Sequence, residues 1–189
     1  MERVFVDSNI FYSTTLMDWT FLLRDETDGM FQLHSTVDVF AEVLANMRKN
    51  HPEATGLFTA QRDRLMRLNI DEVIDEYPDS VPFTGSDPDD YHVHAAAVWS
   101  QTDILLTSND PAHFTEDPDQ EPYEVCTPDE FFQLVARSNP SCLLPVTRKQ
   151  KQYWDTNPHG RQLDDALTRS GCPQFASLVR KTLQQLALE

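Results

Sequence analysis

The stretch Arg3-Val4-Phe5-Val6-Asp7-Ser8-Asn9 decides how this chain folds. Its Val-Phe-Val run predicts a short buried strand, and the polar residues that follow end that strand. The stretch Asp103-Ile104-Leu105-Leu106-Thr107-Ser108-Asn109 has the same form, an apolar run followed by polar residues. We therefore expect two buried strands that both present polar side chains at their carboxyl ends.

Strand and helix patterns alternate along the rest of the chain. Further strands are predicted at 31–34, 72–77 and 125–126, and helices at 10–23, 35–48, 54–68, from Asp87 to Trp99 and after Thr127. The alternation predicts an α/β fold, in which helices form the outer layers of a three-layer α/β/α domain around a mainly parallel sheet. Residues 110–124 are rich in proline and acidic residues and are expected to form an exposed loop.

The chain of 189 residues carries 31 acidic and 15 basic residues, for a formal net charge of −16. Residues 138–189 hold seven bases and four acids, a net charge of +3, so residues 1–137 carry 27 acids and 8 bases, a net charge of −19. We therefore predict a domain over 1–137 and a helical C-terminal extension over 138–189. Such acidity argues against broad polyanion binding, although local basic patches remain in the chain.

The composition also argues against several other classes of protein. Cys126, Cys142 and Cys172 are odd in number and far apart, which favours reduced thiols in a cytoplasmic protein over a disulfide framework or a zinc site. No apolar run approaches the roughly 18 to 20 residues of a membrane helix, and the first residues lack the pattern of a secretion signal. We expect no membrane association.

Several carboxylates are expected at one edge of the sheet. Asp7 follows the first strand, Asp90 follows a helix start at Asp87-Pro88, Glu42 lies among apolar helix residues, and Asn109-Asp110 follow the strand at 103–107. Each has an ordinary structural explanation, such as a helix cap, a turn or a solvated helix face. Together their repulsion favours a bound cation, and hard oxygen ligands suit Mg²⁺ or Mn²⁺. Carboxylates around such an ion are a common arrangement for phosphodiester hydrolysis.

These motifs resemble those of the PIN-domain nucleases, in particular the VapC-type toxins of bacterial toxin–antitoxin systems. The resemblance is carried by Val4-Phe5-Val6-Asp7-Ser8-Asn9, by the helix containing Glu42-Val43-Leu44, by Asp87-Pro88-Asp89-Asp90 with the later Ala95-Ala96-Ala97, and by the stretch 103–109. It covers about residues 3–135. It implies a Mg²⁺- or Mn²⁺-dependent endoribonuclease that leaves 5′-phosphate and 3′-hydroxyl ends.

The resemblance also implies which residues form the site. Asp7, Glu42 and Asp90 match the family's first three acidic positions. At the fourth, Thr107-Ser108-Asn109 provides an uncharged Asn109, with Asp110 one residue later, so either of these two residues fills that position. Ser8 and Thr107 are expected to be auxiliary residues. The predicted metal ligands are therefore Asp7, Glu42, Asp90, Asn109 and Asp110, of which the four carboxylates are also predicted to be catalytic.

Partners follow from the same resemblance. We expect an RNA substrate, a basic antitoxin protein and a homodimer. The distribution of charge, rather than the resemblance, leads us to expect RNA contacts from local basic residues, namely Arg48, Lys49, Arg148, Lys149 and Lys151. One alternative is a catalytically degenerate PIN-like binding or regulatory module, in which Asn109 reflects lost chemistry. Another is a phosphotransfer or receiver domain with Asp7 as the acceptor. The latter is disfavoured because Asp7-Ser8-Asn9 lacks a second acid and no lysine occurs between Lys49 and Lys149.

Overall fold

The computed structural model describes residues 1–156 and 162–188 and has a five-stranded parallel sheet. The strand order is β3-β2-β1-β4-β5, with every neighbouring pair parallel. The strands are β1 (Glu2–Val6), β2 (Phe31–Thr36), β3 (Glu72–Ile74), β4 (Ile104–Leu106) and β5 (Glu124–Cys126). A parallel sheet flanked by helices confirms the predicted α/β/α fold class.

Nine α-helices occur among the described residues. They are α1 (Ser8–Tyr12), α2 (Thr14–Glu26), α3 (Val37–Asn50), α4 (Gly56–Asn69), α5 (Tyr91–Trp99), α6 (Pro128–Ser138), α7 (Leu143–Asp155), α8 (Leu163–Arg169) and α9 (Pro173–Leu186). The expected C-terminal helices are therefore present, although part of the predicted extension, at 157–161 and 189, lies outside the described residues. No helix in the described part of the chain is long and apolar enough to cross a membrane.

The contacts divide the chain into two compact units. The first contains residues 1–12 and 30–127, including the whole sheet, and the second contains residues 13–29 and 128–189. The segment 13–29, which carries α2, thus belongs with the C-terminal helices. The predicted domain boundary near residue 138 stays a prediction.

Strand β1 lies in the middle of the sheet and places the first polar cluster. Val4, Phe5 and Val6 are completely buried, and Val6 is in register with Leu106 of β4. The Asp7 backbone N–H donates to the Leu106 carbonyl oxygen over 3.1 Å. Because the two strands end side by side, the residues that follow each of them meet at the carboxyl edge of the sheet.

The single helix predicted over 10–23 is wrong, because the chain forms two helices separated at Ser13. Ser13 has extended backbone angles, φ −77° and ψ 114°, and its Oγ accepts a hydrogen bond from the Leu16 N–H over 3.3 Å. The apolar spacing continues across the break, but the serine begins α2 as a cap. The short helix α1 is therefore separate and stays beside the end of β1.

Two helix starts have the predicted caps. Thr36 Oγ1 accepts from the Val39 N–H over 3.1 Å at the start of α3. Asp87 Oδ1 accepts from the Asp89 N–H over 3.0 Å and begins a short 3₁₀ turn, Pro88–Asp90, which leads into α5. This cap fixes the path of the chain through Asp90.

The loop expected over 110–124 is only partly exposed. Phe114 and Tyr123 are buried, and the Tyr123 hydroxyl lies 2.7 Å from Nδ1 of His94. Composition alone predicts exposure for so acidic a stretch, but its two aromatic residues anchor it. The anchored loop carries His113 toward the helix start at Asp87.

The second unit has its own core and polar anchors. Trp19 packs edge-on against Phe175, with ring centroids 5.1 Å apart. Asp129 accepts hydrogen bonds from the backbone N–H groups of Gln174 and Phe175 over 3.3 and 2.8 Å, which caps the start of α9. The C-terminal helices thus belong to a folded unit, in which α9 has a capped start.

Candidate metal centre and cleft

Asp7 is the most buried carboxylate at the edge of the sheet, with 1% of its surface exposed. Its Oδ1 accepts from the Ser8 N–H over 2.5 Å, and its Oδ2 accepts from Asn9 Nδ2 over 2.7 Å and from Thr107 Oγ1 over 2.6 Å. The pKa of Asp7 is raised to about 6, mainly by burial and also by the charges of Asp90 and Glu42, against the effect of the hydrogen bonds from Thr107 and Ser8. The cluster thus holds a carboxylate whose negative charge is poorly compensated by the protein alone.

Glu42 reaches the same region from α3. Its Oε1 accepts a hydrogen bond from Ser8 Oγ over 2.8 Å, and its Oε2 lies 3.7 Å from Nε2 of His92. The interaction with His92 lowers the pKa of Glu42, and the same interaction raises the pKa of His92. Glu42 is therefore an oriented and ionised carboxylate.

Asp90 lies where three segments meet. Its Oδ2 accepts from Asn109 Nδ2 over 3.0 Å, at the end of β4, and lies 3.3 Å from Nδ1 of His113, in the anchored loop. Burial raises the pKa of Asp90, and the nearby charge of Asp87 raises it further. A cation beside Asp90 would relieve this repulsion.

Asp87, Asp90 and His113 form a group that could hold a metal ion. Their ligand atoms all lie within 4.8 Å of one another. Asp7, Glu42 and Asp90 do not meet this criterion in the described part of the chain, so their predicted joint ligation stays a prediction. Two carboxylates and an imidazole fit a divalent ion, and they fit Mn²⁺ better than Mg²⁺, since Mg²⁺ prefers oxygen ligands.

The two candidates for the fourth acidic position differ in their surroundings. Asn109 is half-buried and donates to Asp90, as described above. Asp110 is exposed, and its Oδ1 accepts from the Ala112 N–H over 2.9 Å, which caps the short 3₁₀ turn Pro111–His113. The structure therefore places Asn109 beside the carboxylates and gives Asp110 a capping role.

Thr107 links the two strand ends. Besides donating to Asp7, its Oγ1 accepts from Asn9 Nδ2 over 2.9 Å and from the Asn109 N–H over 3.0 Å. The Thr107 hydroxyl thus donates one hydrogen bond and accepts two, which is its full hydrogen-bonding capacity. Thr107 thus orients Asp7 and the start of the following turn.

An open cleft of about 290 Å³ lies over this cluster. Its lining consists of Ser8, Asn9, Tyr12, Glu42, Asn46, Asn50, Asp90 and Asn109. The cleft therefore reaches Glu42 and Asp90, while Asp7 is buried and is not one of its lining residues. It offers space for a polar ligand beside two carboxylates.

Sequence reasoning missed the histidines of the site. His113 is 23 residues from Asp90, and His92 is 50 residues from Glu42, so no local spacing relates either pair. The ring of His94, four residues after Asp90, instead bonds to Tyr123 and to the Pro82 carbonyl oxygen. Only the turn signal Asp110-Pro111 hints that the chain reverses just before His113.

The predicted basic RNA contacts have different surroundings. Arg48 donates to the Ala54 carbonyl oxygen, Lys149 pairs with Glu26 over 2.8 Å and Lys151 pairs with Asp155 over 2.5 Å. Lys49 is exposed and has no ion-pair partner among the described residues. Contacts of these side chains with RNA stay predictions.

Comparison with known proteins supports the sequence resemblance. The family model described as "PIN domain" matches residues 3–110. No curated protein and no solved structure gives a significant match to the chain. The match covers more than half of the chain and includes Asp7, Glu42, Asp90 and Asn109. The chain therefore belongs to the PIN domain family.

Proposed function

We propose that this protein is a metal-dependent endoribonuclease that hydrolyses the phosphodiester bonds of RNA. PIN domains are in general metal-dependent nucleases. The observation that carries the proposal is the position of Asp90, which lines the cleft, accepts a hydrogen bond from Asn109 and belongs to the group with Asp87 and His113. A polar cleft that opens onto a possible ion site is the arrangement that phosphodiester hydrolysis needs.

Asp90 is the central ligand in this proposal, and the other candidate ligands are Asp87 and His113, which lie near it, and Glu42 and Asp7. A bound divalent ion supplies Lewis-acid stabilisation of the phosphate and lowers the pKa of a bound water. Ser8 holds the Glu42 carboxylate in the cleft through its hydroxyl group. Asn109 orients Asp90 without adding charge.

Cysteine nucleophiles do not fit this site. Cys126, Cys142 and Cys172 are all buried, and none of them lines the cleft. Burial raises the pKa of Cys172 to about 12, which keeps its thiol protonated. Water is therefore the proposed nucleophile, and the expected products carry 5′-phosphate and 3′-hydroxyl ends.

A pair of aspartate variants tests the proposal. Asp90→Asn removes the shared carboxylate, and Asp89→Asn is the matched control because Asp89 is exposed and does not line the cleft. With single-stranded RNA and Mn²⁺ or Mg²⁺, we expect Asp90→Asn to lose activity by about a hundredfold or more, and Asp89→Asn to retain it. EDTA should abolish cleavage by the wild type.

Two results contradict the proposal. Equal cleavage by the wild type and Asp90→Asn would show that the activity comes from elsewhere. Folded wild-type protein that cleaves no RNA with either ion would instead support the degenerate binding module.

We further propose that the ribonuclease is the toxin of a type II toxin–antitoxin pair. This finer assignment is supported by the motif resemblance at residues 3–135, and the same resemblance is the basis for a basic antitoxin and a homodimer. Expression without a partner in a bacterial host tests it. Growth arrest with the wild type, and none with Asp90→Asn, is expected; unaffected growth with both would exclude a toxin in that host.

A further inference from the structure

Three residues that line the cleft have no part in the proposed hydrolysis. Tyr12 lies at the end of α1, and Asn46 and Asn50 lie on α3. Glu42, Asn46 and Asn50 are spaced four residues apart, so they follow one another on the same face of α3. A row of two carboxamides therefore continues from the Glu42 carboxylate along one side of the cleft.

The three side chains offer unused hydrogen-bonding groups. Asn50 Nδ2 donates to the Tyr12 hydroxyl oxygen over 2.8 Å, which leaves the Asn50 carbonyl oxygen, its second N–H and the Tyr12 O–H proton available. The Asn46 carboxamide has no hydrogen-bond partner within residues 1–156 and 162–188. Tyr12 as a whole residue is 38% exposed, and it is one of the residues that line the cleft.

These groups match the chemistry by which proteins read single-stranded RNA. Such recognition uses aromatic rings on which bases stack and side chains that bond to base edges. A carboxamide offers a donor and an acceptor side by side, and in protein–DNA complexes it most often reads adenine through N6 and N7, whereas guanine is most often read by Arg or Lys. The lining of this cleft contains carboxamides and a tyrosine, and among residues 1–156 and 162–188 it includes no Arg or Lys.

We propose that Tyr12, Asn46 and Asn50 form a nucleobase subsite that selects adenine in single-stranded RNA beside the scissile phosphate. The inference rests on the proposed ribonuclease function, because the position of the base is defined relative to the cleaved bond. Asn46 and Asn50 read the base edge, and the Tyr12 ring contacts its face.

The size of the cleft agrees with a single nucleotide. Its volume of about 290 Å³ equals that of roughly ten water molecules and is near the lower end of the range for ligand clefts, roughly 300–1,000 Å³. Its open form gives a strand access from solvent. A base that is splayed out of a loop can enter such a space, while a base paired in a helix cannot.

The first experiment maps cleavage sites. The full chain is incubated with random-sequence single-stranded RNA and Mn²⁺, and the new 5′ ends are sequenced. The wild type should show adenine enriched about fivefold or more at one position next to the cut. The double variant Asn46→Ala/Asn50→Ala should reduce this enrichment below about twofold. Gln61→Ala is the matched control, since Gln61 is an exposed carboxamide on α4 outside the cleft lining.

The second experiment measures binding without cleavage. Adenosine, guanosine, cytidine and uridine contain no phosphodiester bond, so their binding, followed by NMR titration, is independent of hydrolysis. Adenosine should bind about fivefold more tightly than the others to the wild type and to Gln61→Ala. The double variant should lose this difference, and its circular dichroism spectrum should match that of the wild type.

The outcomes separate the subsite from the activity. Cleavage without adenine enrichment, or with enrichment that the double variant keeps, overturns the subsite and leaves the ribonuclease intact. Adenosine selectivity that depends on Asn46 and Asn50, without any cleavage, supports the subsite and overturns the ribonuclease. Absence of both overturns both.

Discussion

Asn109 donates a hydrogen bond from Nδ2 to Oδ2 of Asp90 over 3.0 Å. The donor follows β4, and the acceptor lies on the turn that leads into α5, so this bond joins two segments of the site. It also compensates part of the charge of a carboxylate whose pKa is raised by burial and by Asp87. Asn109 thus positions Asp90 through a hydrogen bond, whereas an acidic residue at position 109 would repel the Asp90 carboxylate.

The variant Asn109→Asp tests how the missing charge at position 109 affects stability and metal binding. A carboxylate at this position would repel Asp90 in the metal-free protein and would add charge for a bound ion. We expect the Mn²⁺ affinity to rise about tenfold and the free energy of unfolding in EDTA to fall by about 1 kcal/mol. Isothermal titration calorimetry measures the Mn²⁺ affinity, and urea unfolding measures the free energy of unfolding. Asn109→Ala, which removes the bond without adding charge, should not raise the affinity.

Much of the fold was predictable because the strands and caps are local. The apolar runs ending at Val6 and Leu106 predicted the central strands, and Asp87-Pro88 predicted the helix start that places Asp90. The break at Ser13 was not predictable, since the apolar spacing continues through it and only the cap geometry reveals it. The grouping of residues 13–29 with the C-terminal helices depends on packing between distant segments, which no window of sequence shows.

Only the parts of the candidate site that lie at the ends of strands could be predicted from the sequence. Asp7 and Thr107 meet because β1 and β4 are adjacent parallel strands. The sequence predicted that both strands end at one edge of a parallel sheet, but not that they are neighbours. His113 reaches Asp90 through a loop anchored by buried Phe114, and that path depends on tertiary packing. Asp110 was an equal candidate in the sequence because the backbone N–H that it caps is visible only in three dimensions.

Asp7→Asn should stabilise the metal-free protein while it weakens hydrolysis. The pKa of Asp7 is about 6 in the fold and 3.8 in the unfolded chain, so its contribution favours folding most below pH 4 and is lost as the pH rises through 6. At pH 8 in EDTA, the variant should therefore gain up to about 3 kcal/mol in the free energy of unfolding.

Urea unfolding at pH 8 and pH 4 measures the Asp7 effect. The gain should shrink at pH 4, where the wild-type carboxyl is largely protonated. A variant that is less stable than the wild type at pH 8 would contradict an uncompensated buried charge. Asp89→Asn, at an exposed position, should change stability little at either pH.

His113→Ala tests whether the ion binds at the group with Asp87 and Asp90. The imidazole is one of the three groups whose ligand atoms lie within 4.8 Å, so its loss should weaken Mn²⁺ binding by about tenfold or more. The preference for Mn²⁺ over Mg²⁺ should also decrease, because the nitrogen ligand is removed. Titration with both ions measures this. Unchanged affinity for both Mn²⁺ and Mg²⁺ would show that the ion does not bind at His113, and would favour Asp7 and Glu42 as its ligands. His51→Ala, at an exposed position, is the control.

Lys49→Ala should weaken RNA binding in a salt-dependent way. Lys49 is exposed without an ion-pair partner in the described chain, and Lys149 is already paired with Glu26. If Lys49 contacts one phosphate, its loss should reduce the slope of log K against log salt by about 0.7. Lys149→Ala should change the slope less. Fluorescence anisotropy with a labelled single strand in EDTA measures both, and equal slopes for all three proteins would exclude Lys49 as a phosphate contact.

His34 should make the protein sensitive to acid. It is 1% exposed, its ring nitrogens have no hydrogen-bond partner in the part of the chain described, and Glu72 lies 3.7 Å from Nε2. Burial lowers the pKa of His34 in the fold, despite the opposing charge of Glu72. In the unfolded chain the pKa of His34 is near 6.5, so on acidification the unfolded chain is protonated at His34 before the folded protein is. Stability should therefore fall as the pH drops below about 6.5, by at most about 1.4 kcal/mol per pH unit from this group.

Replacing His34 by leucine isolates that contribution. His34→Leu removes the titrating group and keeps an apolar side chain at a buried position of β2, so its stability should change less between pH 7 and pH 5 than that of the wild type. The exposed His51→Gln should follow the wild-type curve. Urea unfolding at half-unit pH steps measures the difference. A wild-type curve that is parallel to that of His34→Leu over this range would show that His34 is protonated equally in the folded and unfolded states.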